Sequence, residues 1–585
     1  MSEFPDVTAR TEIRDGMKIT WHQPIAMDDG IVLRADVFAP IAEGAYPAIL
    51  TYGVYAKGLA YQEGYPHQWK KMVEDHPEIL EGSTNKYQNW EVTDPERWVP
   101  HGYVVIRVDS RGAGWSPGVM DCNSTREIDD VYQCIEWAGT QPWCNGKVGM
   151  LGISYYASNQ WRVAGLHPPH LAAIIPWEGQ NDRYRDSGYH GGILSEFQKL
   201  WAKHQVVNIQ YGLGARAKKN PNTGESVAGP VTLPDGDLAK NRIDVFEDLK
   251  RHPLDDEWHR SRSADLSRVT LPLLTCANWG GQGIHPRGNF NGFTETPSTQ
   301  KWLEVHGDSH WSLFSSGYGL ALQKKFFDHF LKGMANGWEK TPRVTLNVRH
   351  PGEKFVLRHE HEWPLARTKW TKLYLDVAGR ALSPKAIDTP AKIPYEADGP
   401  GVLFSMTLDR PTEITGPLAA KLFISSSTRD ADLFLVLRVF DPGGKELTFM
   451  GSTDPNTPIA NGWLRASHRR LDPKKSKPWQ PYHPHDRVEP LAPGDVYECD
   501  VEILPTSIVL PAGWRVALNV RGRDYEYEGE LSEFGKTFHY GTRGTGGMTH
   551  ADPDSRPAAI FDNRVTIHSG GDRQSWVMLP VIPPS

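Results

Sequence analysis

Short apolar runs alternate with an amphipathic stretch over the first part of the chain. Mostly apolar runs at 46–52, 103–108, 148–151 and 171–176 predict buried strands. Residues 127–140 carry apolar side chains at helical spacing, which predicts a helix between two of these strands. Strand–helix–strand alternation of this kind predicts a mainly parallel sheet with helices on both faces.

The pattern changes near residue 179 and again near residue 340. Residues 179–267 are polar and aromatic, with helical spacing at 193–207 and 243–251, which predicts an inserted helical cap. The strand-and-helix pattern resumes over 268–340. From 341 to 585, apolar runs alternate with Pro/Gly turns and no helical pattern intervenes, which predicts a separate β-sandwich of the jelly-roll kind.

The strongest chemical signal is the sequence Gly152-Ile153-Ser154-Tyr155-Tyr156-Ala157, directly after an apolar run. It is typical of a buried strand, a sharp turn and the start of a helix. A serine at such a turn is exposed above a parallel sheet, as in the nucleophile elbow G-x-S-x-G. Tyr156 stands where that pattern has glycine, so a plain strand–helix turn remains the alternative. The elbow predicts Ser154 as a nucleophile and an α/β-hydrolase core formed by residues 1–178 and 268–340.

A serine hydroxyl needs a base, an acid that orients the base, and donors for the oxyanion. His310 lies between a predicted strand and the last helix of the core, where the chain order serine, acid, histidine places the base. Two further histidines, His483 and His485, lie in a Pro-rich loop, and we expect no metal site there. We therefore predict His310 as the base.

The acid is harder to place from the sequence. The loop that follows Trp279, where it usually lies, contains no carboxylate. We therefore predict Glu178, at the end of the neighbouring strand, because it lies between Ser154 and the base in the chain. Asp182 and Asp308 are alternative acids. Glu178 could instead be a salt-bridged residue that holds the cap.

Two tyrosines are candidates for the oxyanion hole. The backbone N–H of Tyr155 follows the nucleophile, and Tyr55 follows the first buried strand, although a core tyrosine is nearly as compatible with its position. Five aromatic residues could form the wall of a substrate pocket, and each could equally belong to the core. They are Trp177, Tyr189, Trp201, Trp279 and Trp311.

Composition excludes several classes of protein. The net charge of −7 over 585 residues comes without a basic run, so we expect no nucleic-acid partner. No apolar run approaches 18 residues and the N-terminus lacks the apolar core of a signal peptide, so we expect no membrane partner. Five scattered cysteines without a C-x-x-C pair predict reduced thiols and a cytoplasmic location. We expect no cofactor and no metal.

Several of these motifs together resemble the CocE/NonD family of hydrolases. Asp109 to Ser116, Gly152 to Ala157 and the loop around His310 resemble the catalytic part of that family, whereas Gly462 to Arg469 and Leu491 to Asp495 are similar to its C-terminal jelly roll. The resemblance covers nearly the whole chain. It implies a hydrolase core, a helical cap and a jelly roll, with the active site between them.

The resemblance also implies site residues. Ser154 would be the nucleophile, His310 the base, and Tyr55 with the Tyr155 N–H the oxyanion hole. The family's triad Asp falls on Gly281 in this chain, and this departure is the reason for choosing Glu178. The loop beside Gly281 also lacks the carboxylates that would hold a substrate ammonium, so a substrate with a free amine is not expected.

The sequence therefore predicts a serine hydrolase that cleaves a small-molecule ester or amide through an acyl-enzyme. Two alternatives stay open: an X-Pro peptidase or amide acylase, and an inactive binding protein on the same scaffold. A homo-oligomer is also left open.

Overall fold

The computed structural model describes residues 7–537 and 541–584. The outermost residues of the predicted domain ranges, 1–6 and 585, and the stretch 538–540 lie outside the described residues.

The strands and helices follow one another in chain order. The strands are β1 Arg10–Arg14, β2 Met17–Ala26, β3 Val32–Ala39, β4 Tyr46–Gly53, β5 Val104–Asp109, β6 Cys144–Ile153, β7 Leu171–Trp177, β8 Tyr189–His190, β9 Ile193–Leu194, β10 Leu273–Asn278, β11 Lys301–His306, β12 Val344–His350, β13 Lys354–Glu360, β14 Lys369–Asp376, β15 Ala381–Ser383, β16 Ala391–Glu396, β17 Val402–Thr407, β18 Thr412–Ser426, β19 Asp432–Phe440, β20 Glu446–Leu447, β21 Ala460–Arg465, β22 Tyr497–Leu510, β23 Arg515–Arg521, β24 Arg564–Ser569 and β25 Trp576–Ile582. The α-helices are α1 Tyr61–Gly64, α2 Pro66–Asp75, α3 Pro95–Trp98, α4 Thr125–Gly139, α5 Tyr155–Ala164, α6 Phe197–Trp201, α7 Asp235–Lys240, α8 Val245–Arg251, α9 Glu257–Ser261, α10 Pro286–Glu295, α11 Ser312–Ser315, α12 Gly317–Lys332, α13 Glu533–Thr537 and α14 Ala558–Phe561.

The central sheet has the order β1-β2-β3-β5-β4-β6-β7-β10-β11-β12. The pairs from β5 to β12 are parallel, whereas β3 pairs antiparallel with β5. Strand β6 lies in the middle, between β4 and β7, and its last six residues are buried. The carboxyl ends of β6, β7, β10 and β11 therefore meet along one edge of the sheet.

Helix α4 begins where its sequence provides a cap. The Ser124 hydroxyl accepts a hydrogen bond from the Glu127 N–H at 3.2 Å, and this pair satisfies an N–H that has no partner within the helix. Its buried face includes Ile128, Val131 and Ile135, which are among the apolar positions that predicted the helix. The observed range, Thr125–Gly139, differs by one or two residues from the predicted one.

The segment predicted as a cap, 179–267, contains short helices rather than long ones. The first residues of the predicted helix at 193–207 form the short strand β9, whereas the chain is helical from Phe197, because α6 continues into a π-helical turn at Ala202–Val206 and a 3₁₀ turn at Val207–Ile209. The predicted helix at 243–251 is present as α8. The buried apolar side chains of this segment fall in two separate clusters, one shared with the core and one formed within the segment itself, so helical spacing does not imply one long helix here.

Beyond α12, the regular elements are almost all strands. Strand β18 pairs antiparallel with β22, β24 and β25, and β19 pairs antiparallel with β21 and β23. Their buried faces share one apolar cluster, which includes Leu422, Leu435, Val501 and Leu518. Across residues 7–537 and 541–584, no helix has the length and apolarity needed to cross a membrane.

Candidate active site

Ser154 lies at the turn between β6 and α5, as the elbow pattern predicts. Its backbone is left-handed, with φ of 59° and ψ of −111°, which is a strained conformation for a residue with a side chain. Such strain costs roughly 1–3 kcal/mol and is found mainly at functional sites. Its N–H donates to the carbonyls of Trp177 and Glu178, both at 3.1 Å, so the end of β7 fixes the turn.

The large side chain of Tyr156 fits the elbow because glycines surround it. A Cβ on Gly53 would lie 2.5 Å from the Tyr156 ring, and a Cβ on Gly152 would lie 2.5 Å from its Cβ. Gly53 and Gly152 therefore leave the space around the turn that the generic elbow obtains from a glycine at the position of Tyr156.

His310 lies beside Glu178. The His310 Nδ1–H donates to Glu178 Oε2 at 2.6 Å, and both side chains are buried. The His310 backbone N–H donates to the Ser452 carbonyl at 3.1 Å, which ties this loop to the C-terminal part of the chain. The geometry is that of an imidazole oriented from the rear by a carboxylate.

Glu178 is held by four hydrogen bonds. Oε1 accepts from His306 Nε2 at 3.1 Å and from Asn278 Nδ2 at 3.2 Å. Oε2 accepts from His310 and, at 3.1 Å, from the Ser452 hydroxyl. A buried carboxylate with all its acceptor positions used is both stabilised and fixed in orientation.

The charges around Glu178 alternate in sign. Burial opposes its ionisation, but His310 and His306 outweigh burial and hold the pKa of Glu178 well below its usual range. Burial also opposes the His306 imidazolium, but Glu304 and Glu178 raise the pKa of His306 to about 10. His306 donates to Glu304 Oε2 at 2.7 Å on its other side. His310 and His306 together therefore allow Glu178 to stay ionised without solvent.

His310 is itself poised to carry a proton. Burial disfavours its charged form, but the Glu178 charge and hydrogen bonds to Glu178 and Glu91 raise the pKa of His310 to about 9. His285 stacks on it with ring centroids 5.2 Å apart, and burial lowers the pKa of His285 to about 3. His285 therefore packs against His310 as a neutral ring.

The hydroxyl of Tyr55 faces the same cavity as Ser154. Its oxygen accepts a hydrogen bond from Trp201 Nε1 at 2.9 Å, so its own proton can be donated elsewhere. Burial and the nearby Glu91 raise its pKa well above the usual value, which keeps the hydroxyl protonated. The Tyr155 N–H is at the first position of α5, where a helix leaves its N–H groups without an intrahelical acceptor.

The cavity, counted together with its opening to solvent, has a volume of about 640 Å³ and joins three parts of the chain. The core contributes Ser154, His310 and Tyr55, the predicted cap contributes Trp201 and its neighbours, and the C-terminal part contributes Ser452 and its neighbours. The lining residues are Tyr55, Trp90, Glu91, Ser154, Phe197, Leu200, Trp201, His204, Gln205, Ile284, His285, His310, Trp311, Ser452, Thr453, Gly547 and Met548. Most of the surface that lines the cavity is apolar.

Two of the five predicted wall residues, Trp201 and Trp311, line this cavity. Three others do not, which corrects the prediction. Trp177 is fully buried against the His306 and Phe314 rings, and Trp279 donates its N–H to the Asn347 carbonyl at 2.9 Å.

The third correction is Tyr189, which packs in a separate aromatic cluster. Its ring stacks on Tyr184, with centroids 4.9 Å apart, and its hydroxyl donates to the Leu249 carbonyl at 3.0 Å. These contacts belong to the packing of the 179–267 segment rather than to the cavity.

The alternative acids lie elsewhere. Asp182 caps a π-helical turn at Arg183–Gly188 and pairs with Arg185 at 2.9 Å. Asp308 accepts from His76 Nε2 at 2.8 Å. Glu178 is therefore the carboxylate, among these three, that the structure brings to His310 Nδ1.

Sequence reasoning missed several residues of the site. Glu304 and His306 are two residues apart in the buried strand β11, so their side chains lie on the same face of the sheet. Two polar residues at this spacing near the end of a buried strand could have indicated a polar site. Glu91 and His285 lie in loops without periodicity, and Ser452 comes from a different part of the chain. Nothing in the local sequence indicated these three.

Gly281, where the family resemblance places the triad Asp, lies close to the same carboxylate. A Cβ at this position would lie 2.9 Å from Ser452 Oγ, which itself donates to Glu178. Ser452 therefore occupies the space into which a side chain at 281 would extend. In this chain a serine of the C-terminal part and Glu178 together fill that space.

Replacing Ser452 by Ala is expected to lower kcat about tenfold, because a hydrogen bond to a charged group contributes about 1.5–3 kcal/mol. Ester hydrolysis under saturating substrate measures this. Ser425→Ala is the control, because it removes a hydroxyl of the C-terminal part that bonds His568 instead. Equal kcat in the wild type and Ser452→Ala would show that this hydroxyl does not help to hold Glu178.

Comparisons with known proteins agree with this picture. A family profile described as X-Pro dipeptidyl-peptidase (S15 family) matches residues 29–312, and one described as X-Pro dipeptidyl-peptidase C-terminal non-catalytic domain matches residues 336–537. The cocaine esterase of Rhodococcus sp. is 24% identical over 95% of this chain and 97% of its own length.

Solved structures match as well. A CocE/NonD family hydrolase from Staphylococcus aureus is 31% identical, covers 99% of both chains and has a TM-score of 0.82. An α-amino acid ester hydrolase shares the fold, with 16% identity, 99% of this chain and 100% of the other covered, and a TM-score of 0.64.

The fold and these matches define a serine hydrolase that acts on ester or amide bonds. The chain belongs to the CocE/NonD family of hydrolases, with a C-terminal non-catalytic domain. The predicted family and enzyme class are therefore confirmed.

Proposed function

We propose that Ser154 is the nucleophile, His310 the general base and Glu178 the acid that orients it. The observation that carries this proposal is the 2.6 Å hydrogen bond from His310 Nδ1 to Glu178. The imidazole ring of His310 lines the same cavity as Ser154. Ser154 attacks the carbonyl carbon while His310 Nε2 takes its proton. His310 then returns the proton to the leaving group, and water hydrolyses the acyl-enzyme in a second round.

The developing oxyanion would accept hydrogen bonds from the Tyr55 hydroxyl and the Tyr155 N–H. The apolar lining favours an ester with an apolar or aromatic acyl or alcohol group. An esterase is therefore the preferred function. The Rhodococcus relative, named a cocaine esterase, is consistent with an ester substrate.

A second candidate is an X-Pro peptidase or amide acylase. It is favoured by the two matching family profiles, both of which are described by the X-Pro dipeptidyl-peptidase activity. Initial rates on matched aryl esters, aryl amides and X-Pro aryl amides separate the two functions. A higher kcat/KM on the X-Pro amide than on the esters would favour the peptidase.

A fluorophosphonate probe tests the nucleophile directly. The wild type is expected to be labelled at Ser154, and Ser154→Ala is expected to lose labelling. Ser158→Ala is the control, because Ser158 lies one turn further along α5 and its hydroxyl bonds the Ser154 carbonyl at 3.0 Å. Absence of labelling in a folded wild type would favour the inactive binding protein.

We also propose the architecture that the family resemblance implies: an α/β-hydrolase core at 1–178 and 268–340, a cap at 179–267 and a jelly roll at 341–585. The parallel β5-to-β12 pairing and the antiparallel pairing of β18 and β19 with their neighbours support it. The cytoplasmic location stays a prediction, and the oligomeric state stays open.

A further inference from the structure

Glu91 brings a second carboxylate to His310. Its Oε1 lies 3.2 Å from His310 Nε2, the nitrogen that must receive the Ser154 proton. Glu178 holds the other ring nitrogen at 2.6 Å, so the imidazole lies between two carboxyl groups. Glu91 lines the catalytic cavity, and its side chain is only 3% exposed. The triad as described above does not use this residue.

The backbone places Glu91 firmly. Its φ of 62° is left-handed, the strained region that Ser154 and Glu178 also occupy. Its carbonyl accepts a hydrogen bond from the Ile153 N–H at 3.0 Å, while the Glu178 carbonyl accepts from the Ser154 N–H. The two residues whose carboxyl groups hold His310 are thus fixed by consecutive N–H groups at the end of β6.

This geometry requires a proton between Glu91 and His310. An ionised carboxylate only accepts hydrogen bonds, and His310 already donates from Nδ1 to Glu178. Either the ring carries protons on both nitrogens, or the proton lies on Glu91. A ring protonated on both nitrogens cannot act as a base toward Ser154.

The surroundings of Glu91 make its carboxylate able to accept that proton from His310. Its second oxygen, Oε2, is buried without a well-formed hydrogen bond among the described residues, which makes the ionised form costly. Burial raises the pKa of Glu91, against the opposing effect of His310. The charge of Glu178, on the other side of His310, also raises the pKa of Glu91. The remaining titratable groups that face Glu91 are tyrosines whose pKa burial raises: Tyr55, Tyr61, Tyr65 and Tyr156.

We propose that Glu91 is a positioning residue. In the free enzyme its ionised carboxylate holds the His310 imidazolium through Nε2, and it takes that proton before Ser154 reacts, so that Ser154 meets a neutral base. In this step the Nε2–H bond breaks, an O–H bond forms on Glu91 Oε1, and the electron pair stays on Nε2. The proposal rests on the proposed role of His310 as the base.

The test is the pH profile of kcat/KM for Glu91→Gln with an aryl ester. Glutamine has nearly the same shape and resembles the protonated form of Glu91. It also removes a negative charge beside His310, so the imidazolium loses its proton at lower pH. We expect the acid limb to move down by about one pH unit. The rate on the alkaline plateau should stay within a few fold of the wild type.

Asp94→Asn is the matched control. Asp94 is a buried carboxylate of the same loop, and it caps α3 through the Glu96 N–H rather than contacting His310. We expect its acid limb to be unchanged. If Glu91→Gln fails to fold, Glu91→Asp serves instead, because a side chain shorter by one methylene withdraws the carboxylate from Nε2 and should also lower the limb.

An acid limb at the wild-type pH in a folded Glu91 variant would overturn the proposal. If that variant also lost activity only on amine-bearing esters, Glu91 would belong to substrate binding instead. Failure of the proposed function is distinguishable, because the wild type would then show no fluorophosphonate labelling of Ser154.

Discussion

Glu178→Gln is expected to lower kcat by about 10³- to 10⁴-fold while changing KM little, as for the loss of charge in an orienting acid. The uncharged amide can no longer stabilise the imidazolium that forms when His310 takes the Ser154 proton. It can also present its NH₂ group to Nδ1, which would favour the wrong tautomer. Steady-state ester hydrolysis, with circular dichroism to verify folding, measures the effect.

Asp308→Asn is the control for Glu178→Gln. Asp308 lies in the same loop as His310, but its carboxylate pairs with His76. We expect turnover close to that of the wild type. Near-normal turnover in Glu178→Gln, or a large loss in Asp308→Asn, would show that the acid has been misassigned.

The prediction of Ser154 and His310 depended on local signals. A short apolar run, a turn and a helix start are encoded within about ten residues, and the chain order of the triad then selects one histidine. Glu178 required a second step, because the usual position is Gly281. The prediction used only the fact that neighbouring parallel strands end at the same edge of a sheet, and the structure does place Glu178 beside His310.

The residues that the sequence did not reveal depend on long-range packing. Ser452 reaches Glu178 only because the C-terminal part docks on the loop at Gly280, where the Ser452 N–H donates to the Gly280 carbonyl at 3.2 Å. Glu91 lies in a long insertion between β4 and β5 that has no hydrophobic period. Neither contact leaves a pattern within one element.

The sequence also did not reveal which of the predicted aromatic residues line the cavity. Trp177 precedes Glu178 at the end of β7, and successive side chains of a strand point to opposite faces. Because Glu178 is directed toward His310, Trp177 packs on the other side of the strand, against Phe314. The abundance of tryptophan near the site therefore indicated that some rings would line a cavity, but not which ones.

Tyr55→Phe is expected to lower kcat by about 10²- to 10³-fold with little change in KM, the size of effect seen when one oxyanion donor is removed. The Tyr55 hydroxyl accepts from Trp201, so its proton is directed by that contact toward another acceptor. Its raised pKa means that this donor stays protonated across the working range of the enzyme. Single-turnover hydrolysis of an aryl ester measures the acylation step.

Two variants separate the oxyanion role of Tyr55 from simple packing. Tyr61→Phe removes a hydroxyl from the same apolar cluster that has no hydrogen-bond partner among the described residues, and it should leave kcat unchanged. Trp201→Phe removes the donor that orients Tyr55 but keeps its hydroxyl, so its loss should be smaller than that of Tyr55→Phe. If Trp201→Phe lowered kcat more than Tyr55→Phe, the indole would contribute more to the reaction as part of the cavity wall than the Tyr55 hydroxyl does as a donor.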